Sequence, residues 1–348
     1  MAKHKTLPKN FKELARSGDL TALREVLARC VPDATGGSAK QSALMFTELP
    51  QVILRELLDA GADPNFTDIY GNTPLSAHAF FAPENIPMLL EAGAQIDFHT
   101  EQGETALHRA AGFFRVEGVR ALLKAGADPE CRSGWHHDTA LQCMLASVQP
   151  VYIRFAAPIA ELLLAHGAVI TDDMRAQVLK IGHEFEFFRS GFAAELLDET
   201  DAALKRLYAI FDVEPVPPRT VHDGSSPITA EGDTWTAQYD SLWSQLVPAS
   251  GHAATVQGEA IRLIGRLSHE VLDNGAMNWD EDFAAMAAAL PRYLSQGKQP
   301  APGKVLAAAA EITEETEEAQ FAALAEAVVG WIAANPDPIP LGEVPYFR

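Results

Sequence analysis

The sequence of 348 residues has only three cysteines, Cys30, Cys131 and Cys143. Such an odd and sparse set does not make a disulfide framework and indicates a reducing compartment. Basic residues are also scarce, since 27 Lys and Arg stand against 47 Asp and Glu, for a net charge of −20. Nucleic acids and anionic membranes attract Lys and Arg, so this balance argues against both as partners. It is compatible with a basic protein partner, or simply with an acidic surface that keeps the protein in solution.

A long apolar run is missing as well. A membrane-spanning helix needs about 20 consecutive apolar residues, and no segment of the sequence approaches that length. The first residues, "MAKHKTLPKNFKELARSGDL", are positively charged, but no apolar run follows them. This excludes an ordinary secretory signal, and we expect a cytoplasmic protein.

Catalytic and cofactor motifs are absent. The sequence contains no HExxH, G-x-S-x-G, Walker or G-x-G-x-x-G pattern, so it predicts no cofactor. Cys131, His136, His137 and Cys143 lie near one another in the sequence and invite a zinc hypothesis. Their spacing matches no common zinc site, and we therefore expect no metal.

The first half of the chain repeats itself. The words "GADPN", "GAQID", "GADPE" and "GAVIT" begin at Gly61, Gly93, Gly126 and Gly167, with spacings of 32, 33 and 41 residues. A matching word precedes each of the last three: "GNTPLSAHA", "GETALHRAA" and "HDTALQCML". A leucine pair lies between each start and finish, and the insertion "SVQPVYIRFAAP" explains the longest spacing.

These words, in this order and at a period near 33, resemble the ankyrin repeat. The resemblance implies an all-α solenoid of about five helix pairs with short β-hairpin tips, stacked because no pair is stable alone. Thr73, Thr105 and Thr139 suit helix N-caps, and the glycine of each "GAD" word can take a positive φ and end the second helix. Ser76 and Gln142 stand where His108 sits, and Ala106 and Ala140 replace the proline of the family pattern. We expect these departures to weaken local hydrogen bonding but not the assignment.

The remaining segments suggest a second helical domain. We expect ankyrin repeats over 1–175, capping helices over 176–212, and a helical C-terminal domain over 236–348. Between them, residues 213–235 are rich in proline and lack a helical period, which predicts a linker or an irregular packed segment. The C-terminal half, from 203 to 283, is similar to a domain of uncharacterised bacterial proteins, which implies a bacterial source but no activity.

A 29-residue stretch of this half, "TVQGEAIRLIGRLSHEVLDNGAMNWDEDF", predicts two helices with a stop between them. Thr255 suits the first N-cap, and Asn274-Gly275 suits the stop. Asn278 or Asp280 is expected to cap the second helix. On the first helix, Glu259, Arg262, Arg266 and Glu270 are spaced to form a chain of ion pairs. Pro291 should bend or end the second helix. Gly258 favours a close backbone approach.

The ankyrin resemblance implies a protein partner that binds the hairpin tips and the inner helices. Aromatic residues at exposed tips favour binding, although each ring can instead fold back onto a neighbouring hairpin. The candidates at the tips are Phe66, Asp68, Tyr70, Phe98, His99, Glu101, Arg132, Trp135 and His136. The candidates on the inner helices are Arg109 and Phe113, with His78, Phe80, Phe81, Phe114 and Arg115 as further possibilities.

Three functional hypotheses follow. The first is a non-catalytic protein-binding scaffold, in its narrowest form a bacterial immunity protein that inhibits a basic toxin or effector. The second is an enzyme whose ankyrin stack is a substrate adaptor; its catalytic cluster would consist of His222, Asp223, Gln257, Glu259, Asn278 and Asp280. The alternative for this cluster is a set of buried hydrogen bonds that lock the helix junction. The third hypothesis is homo-oligomerisation through the tail helices.

Overall fold

The computed structural model describes residues 3–99, 103–133 and 136–348. The fold is mostly helical, as the sequence predicts. The chain divides into two compact units, one containing residues up to 185 together with 193–216, and the other containing 186–192 together with 217–348.

The first unit is built from successive helices. In chain order they are α1 (Phe11–Ser17), α2 (Leu20–Ala28), α3 (Gln51–Asp59), α4 (Pro74–Phe81), α5 (Ile86–Glu91), α6 (Ala106–Gly112), α7 (Val116–Lys124), α8 (Ala140–Ser147), α9 (Ile153–Ala165), α10 (Asp172–Phe188) and α11 (Ala194–Phe211). The last three residues of α10 are counted with the second unit.

The repeated threonines start helices α4, α6 and α8, which confirms the predicted caps. Each side-chain oxygen accepts a hydrogen bond from the backbone N–H three residues on, at 3.1 Å for Thr73 and 3.3 Å for both Thr105 and Thr139. The expected weakening at the two departures from histidine is wrong. The side chains of Ser76 and Gln142 accept hydrogen bonds from the N–H groups of Thr73 and Thr139, at 3.0 and 2.9 Å. Each pair therefore forms a reciprocal capping box.

The glycines of the repeated words end the second helices with a positive φ, as predicted. The values are 85° at Gly61, 99° at Gly93, 97° at Gly126 and 105° at Gly167. Only glycine adopts this conformation without steric cost. The chain therefore reverses at the same place in each of these four repeats.

The helix pairs stack on one another to form the core of the first unit. Helix α4 packs against α6, α6 against α8, and α9 against α7 and α11. Leu75, Leu107 and Leu141 occupy the same place in the repeated word, and all three are buried. At one close backbone approach, a Cβ added to Gly118 of α7 would lie 2.0 Å from the carbonyl oxygen of Ala79.

The N-terminal part contains a sheet that the sequence did not predict. Strands β1 (His4–Thr6), β2 (Cys30–Gly36) and β3 (Gln41–Ser42) form it, with β2 parallel to β1 and antiparallel to β3. A short 3₁₀ turn, Ala43–Met45, takes the place of a first helix before α3. The first repeats are therefore irregular.

The second unit surrounds one buried helix. Its helices are α12 (Trp235–Leu246), α13 (Val256–Ser268), α14 (Glu281–Leu294), α15 (Gly303–Ala310) and α16 (Glu318–Ala334), with a π-helical turn, His269–Asp273, directly after α13. Ten of the thirteen residues of α13 are buried, against α12, α14 and α16. Residues 217–234 contain no helix, yet Ile228 in this segment is buried and its N–H bonds to the Pro336 carbonyl.

Most of the local predictions for α13 and α14 are confirmed. Thr255 caps α13, Gly275 takes a φ of 61°, and Asp280 caps α14. A Cβ at Gly258 would lie 2.9 Å from the Cβ of Ala253, so the backbone does approach closely there. Pro291 lies inside α14, which ends three residues later at Leu294.

The predicted chain of ion pairs on α13 is only partly present. Glu259 and Arg262 form a buried pair at 2.6 Å. Glu270 instead accepts hydrogen bonds from the Asn274 side chain and from the backbone N–H of Asn278. Glu270 lies in the π-helical turn after α13, and its carboxylate bonds to the loop that follows because Asn274 and Asn278 place N–H donors beside it.

Candidate functional site

The hairpin tips present fewer free side chains than expected. The Asp68 carboxylate is buried and accepts hydrogen bonds from the N–H groups of Tyr70 and Asn72, both at 2.9 Å. Asp68 therefore shapes its loop rather than presenting a charge at the tip. Tyr70 and Ile69 beside it are exposed, at 69% and 59%.

The remaining tip residues are mixed in exposure. Phe66 and Phe98 are half-buried, whereas His99 and His136 are exposed. The exposed Arg132 donates to the His137 carbonyl at 3.1 Å. Two candidates, Glu101 and Trp135, lie outside the described residues.

The inner helices carry a more continuous surface, formed where α4 and α6 end. We call the side chains of Phe80, Phe81, Arg109, Phe113 and Arg115 the aromatic–arginine patch. Phe81 and Phe113 are 70% and 53% exposed. The ring of Phe80 lies between them, with centroid distances of 4.5 Å to Phe81 and 5.4 Å to Phe113. Exposed clustered aromatics of this kind mark interaction sites more often than scattered single ones do.

Two hollows flank the patch. The larger has a volume of about 650 Å³, and Arg109, Phe113 and Arg115 line it together with Glu104, Gly112, Phe114, Cys143, Ser147, Tyr152 and Phe155. The smaller has a volume of about 210 Å³ and shares Arg109 and Phe113 with the first. Phe113 thus lines both hollows and is itself exposed.

The two arginines of the patch are held by aromatic rings. The Arg115 guanidinium carbon lies 4.0 Å from the Phe80 ring centroid, and that of Arg109 lies 5.6 Å from the Phe113 centroid. Arg109 also lies in the last turn of α6, where the helix dipole favours a cation. Among the described residues, no carboxylate lies within ion-pair distance of either guanidinium.

One wall of the larger hollow comes from the insertion in the last repeat. The insertion begins α9 with a short turn and stacks the Tyr152 ring on Phe114, with a centroid distance of 4.7 Å and an interplanar angle of 10°. Phe114 itself is buried, with a φ of 59° that is unusual for a side chain of this size. In the sequence, the aromatic and basic residues of "VYIRF" were the pattern that could have indicated this wall of the hollow.

His78, a candidate for the inner surface, is buried and structural. Its Nε2 lies 2.9 Å from the Leu44 carbonyl, and its Nδ1 lies 3.2 Å from the Asn85 amide. Burial lowers the pKa of His78. The neutral imidazole therefore joins two repeats and does not face a partner.

The cysteine and histidine residues considered for zinc are placed differently from one another. Cys143 is half-buried beside Glu104, with a sulfur-to-carboxylate distance of 3.8 Å, while His136 and His137 are exposed. Burial raises the pKa of the Cys143 thiol to about 12. No group of three or more potential metal ligands occurs in the part of the chain that the structure describes.

The Glu259 carboxylate of the second unit is buried, and its oxygens accept hydrogen bonds from neighbouring groups. Glu259 accepts two hydrogen bonds from Arg262, at 2.9 and 2.6 Å, one from the Ala253 N–H and one from the Tyr346 hydroxyl. Burial by itself raises the pKa of Glu259, but these donors outweigh it and hold the pKa below its usual value. Arg262 also donates to the Arg348 carbonyl at 2.8 Å.

Gln257, in the same helix, binds the segment that follows α16. Its amide nitrogen donates to the carbonyls of Asn335 and Asp337, at 3.0 and 2.8 Å, and its oxygen accepts from the Ile339 N–H at 3.0 Å. All of its side-chain polar atoms are therefore used to hold the segment that follows α16.

The other members of the polar cluster lie elsewhere in the unit. His222 and Asp223 belong to a tight turn in which Asp223 accepts from the N–H groups of Ser225 and Ser226, at 2.8 and 2.7 Å. Asn278 and Asp280 lie in the connection to α14. The six residues do not form one open pocket, so the geometric basis of the enzyme hypothesis is missing.

Part of the chain is similar to known ankyrin-repeat proteins. A family model described as "Ankyrin repeats (3 copies)" matches residues 41–133. Residues 41–133 form ankyrin repeats. Among similar human proteins, SH3 and multiple ankyrin repeat domains protein 2 is 38% identical over 85 residues, covering 24% of this chain and 5% of that protein. SH3 and multiple ankyrin repeat domains protein 1 is 43% identical over 76 residues, covering 21% and 4%.

A nematode protein shows the same relationship. Ankyrin repeat and KH domain-containing protein mask-1 of Caenorhabditis elegans is 32% identical over 120 residues, 34% of this chain and 4% of that protein. The chain thus spans about a twentieth or less of the length of these animal relatives. Ankyrin repeats are protein-interaction scaffolds, which indicates a protein partner. In the described part of the chain, no helix has the length and apolarity that a bilayer span requires.

Proposed function

We propose that this protein is a non-catalytic binding scaffold that holds a partner protein on the aromatic–arginine patch of its ankyrin repeats. The observation that carries the proposal is the pair of exposed rings, Phe81 and Phe113. Phe113 lines a hollow of about 650 Å³, and both rings line a second hollow of about 210 Å³. Binding hot spots are enriched in aromatic and arginine side chains that fill such pockets.

The patch is a better candidate than the hairpin tips. Its rings contact one another and line two cavities, whereas Tyr70 and Ile69 lie side by side on one tip loop. The tips belong to a secondary contact area, since ankyrin tips and inner helices lie on the same side of a repeat stack.

Site-specific photo-crosslinking in source cells tests this proposal. A photoreactive phenylalanine analogue replaces Phe113 in one variant, Tyr70 in a second and Arg120, on the outer helix α7, in a third. We expect a discrete adduct from position 113, a weaker one from 70 and none from 120. An adduct from 120 alone, or an equal yield from all three positions, would refute the assignment of the patch.

The narrower form of this proposal is a bacterial immunity protein that occludes a basic toxin or effector. The net charge of −20 supports it, because complementary charge speeds association. The properties of the crosslinked protein test the immunity role. A basic protein that arrests growth when expressed alone, and is tolerated when this chain is co-expressed, would support the immunity role. A harmless or acidic partner would remove it and leave the scaffold.

A further inference from the structure

The guanidinium groups of the aromatic–arginine patch have unused hydrogen-bond donors. Stacking on Phe80 occupies the flat face of Arg115 at 4.0 Å and leaves its N–H edge free. The structure shows no side-chain hydrogen bond from Arg115 or Arg109 to another described residue. A stacked arginine is also pre-organised, so it loses less conformational freedom when it binds a carboxylate.

The charge of the patch is opposite in sign to the charge of the whole protein. Among the described residues, Arg109 is the one charged side chain that lines the smaller hollow. In the described lining of the larger hollow, Arg109 and Arg115 outnumber the single acid, Glu104. The Glu104 carboxylate already lies 3.8 Å from the Cys143 thiol, which donates to it. In a chain of net charge −20, two arginines that form no ion pair with a described residue point to a charge that a partner supplies.

We propose that the aromatic–arginine patch binds an acidic segment of the partner protein. A carboxylate of that segment accepts hydrogen bonds from the free edges of Arg109 and Arg115, and apolar side chains on either side of it pack on Phe81 and Phe113. This inference rests on the proposed scaffold function and adds the chemistry of the bound segment.

The whole-molecule charge and the patch charge act at different distances. Surface charges are screened beyond about 8 Å at physiological salt, so acidic residues of the exterior that lie farther than that from the patch repel a carboxylate bound there only weakly. The same exterior repels a polyanion such as RNA. A short acidic segment within a larger protein avoids that repulsion and still satisfies the two arginines.

A selection from displayed random peptides tests the inference. The purified full-length chain is the bait, and peptides that also bind the F81A/F113A variant are removed. We expect the enriched peptides to carry Asp or Glu next to aromatic or aliphatic residues. Synthetic copies are then titrated against wild type, R109Q/R115Q and R109K/R115K. Arg120→Gln on α7 is the matched control, since Arg120 is exposed and pairs only with Glu117 of its own helix.

The arginine variants distinguish the outcomes. We expect R109Q/R115Q to weaken binding about tenfold or more, because the carboxylate of the peptide loses both of its charge-assisted hydrogen bonds. R109K/R115K should lie between it and wild type, and R120Q should bind as wild type does. Affinity should also fall as salt is added.

Several results would overturn the inference. Enriched peptides that are basic, or that bind R109Q/R115Q as tightly as wild type, would refute the acidic segment and leave the scaffold function standing. Random-sequence RNA that binds with the same arginine dependence, while no acidic peptide is enriched, would reassign the patch to nucleic acid. No enrichment over the F81A/F113A protein would count against both the inference and the proposed patch.

Discussion

Arginine beside an aromatic ring occurs in both units, in opposite settings. In the second unit, the Arg262 side chain is 2% exposed, lies 6.0 Å from the Tyr346 ring centroid and pairs with a fully buried Glu259. In the first unit, Arg115 lies 4.0 Å from Phe80 and is exposed, with no acid beside it among the described residues.

The two arginines have different roles, since Arg262 serves stability and Arg115 is assigned to binding. A buried charge that lost its partner would be strongly destabilising, so the network around Glu259 holds the second unit together. An exposed arginine on a ring contributes little to folding. Its donors remain available, and we assign it to recognition.

Arg262→Met should be the most damaging change. It leaves Glu259 buried without its main partner, and loss of one member of a buried pair costs about 3–5 kcal/mol. Denaturant unfolding followed by tryptophan fluorescence measures this, since four of the five tryptophans lie in the second unit. Arg266→Met on the same helix is the control, because Arg266 is exposed and should cost less than about 1 kcal/mol. Equal costs for the two variants would contradict the role of the network.

Gly118→Ala should destabilise the first unit by about 1–3 kcal/mol, as overpacked contacts do. The added Cβ would lie 2.0 Å from the Ala79 carbonyl oxygen, so α7 and α4 would have to separate. Gly330→Ala in α16 is the matched control, with open space around its Cβ. It should stabilise its helix by about 0.5–1 kcal/mol. Thermal melts of both variants would show opposite shifts, and shifts of the same sign would disprove this packing.

Stability of the first unit should fall as the pH drops below about 6.5, the usual imidazole pKa. Burial lowers the pKa of His78 and of His108. The unfolded chain therefore takes up protons in a range where the folded chain does not, and acid favours unfolding. The histidine contribution is complete above that pH and is lost below it.

Substitution of one of these histidines isolates the effect. His108→Gln should flatten the slope of unfolding free energy against pH between about pH 7.5 and 5.5. His166→Gln should not, because His166 is exposed at the end of α9. A slope that His108→Gln leaves unchanged would show that other groups cause the acid sensitivity.

Features encoded within a few residues could be predicted from the sequence. The caps at Thr73 and Thr255 and the turns at Gly93 and Gly275 depend on neighbours in the chain, and the structure has them as expected. The β1–β2 pairing could not be predicted, because it joins residues far apart in the sequence through backbone hydrogen bonds that leave no side-chain pattern.

The candidate site was predicted only in part, for the same reason. Arg109 and Phe113 were chosen as inner-helix residues, with Phe80, Phe81 and Arg115 as further possibilities, and all five lie in the patch. The tip candidates fared less well. The Asp68 carboxylate accepts hydrogen bonds within its own loop and is not available to a partner. Tyr152 contacts Phe114 only because two repeats stack on each other. Whether a polar or aromatic side chain faces outward is decided by packing, which spacing alone does not specify.

The smallest expected effect on stability accompanies the largest expected effect on binding. Phe81→Ala with Phe113→Ala removes two exposed rings, which should change the melting temperature little. The most direct test of the patch is a titration of this variant and of wild type with the crosslinked partner. A dissociation constant raised about tenfold or more, with an unchanged melting temperature, is the predicted result. An unchanged dissociation constant would contradict the assignment of the aromatic–arginine patch as the binding surface.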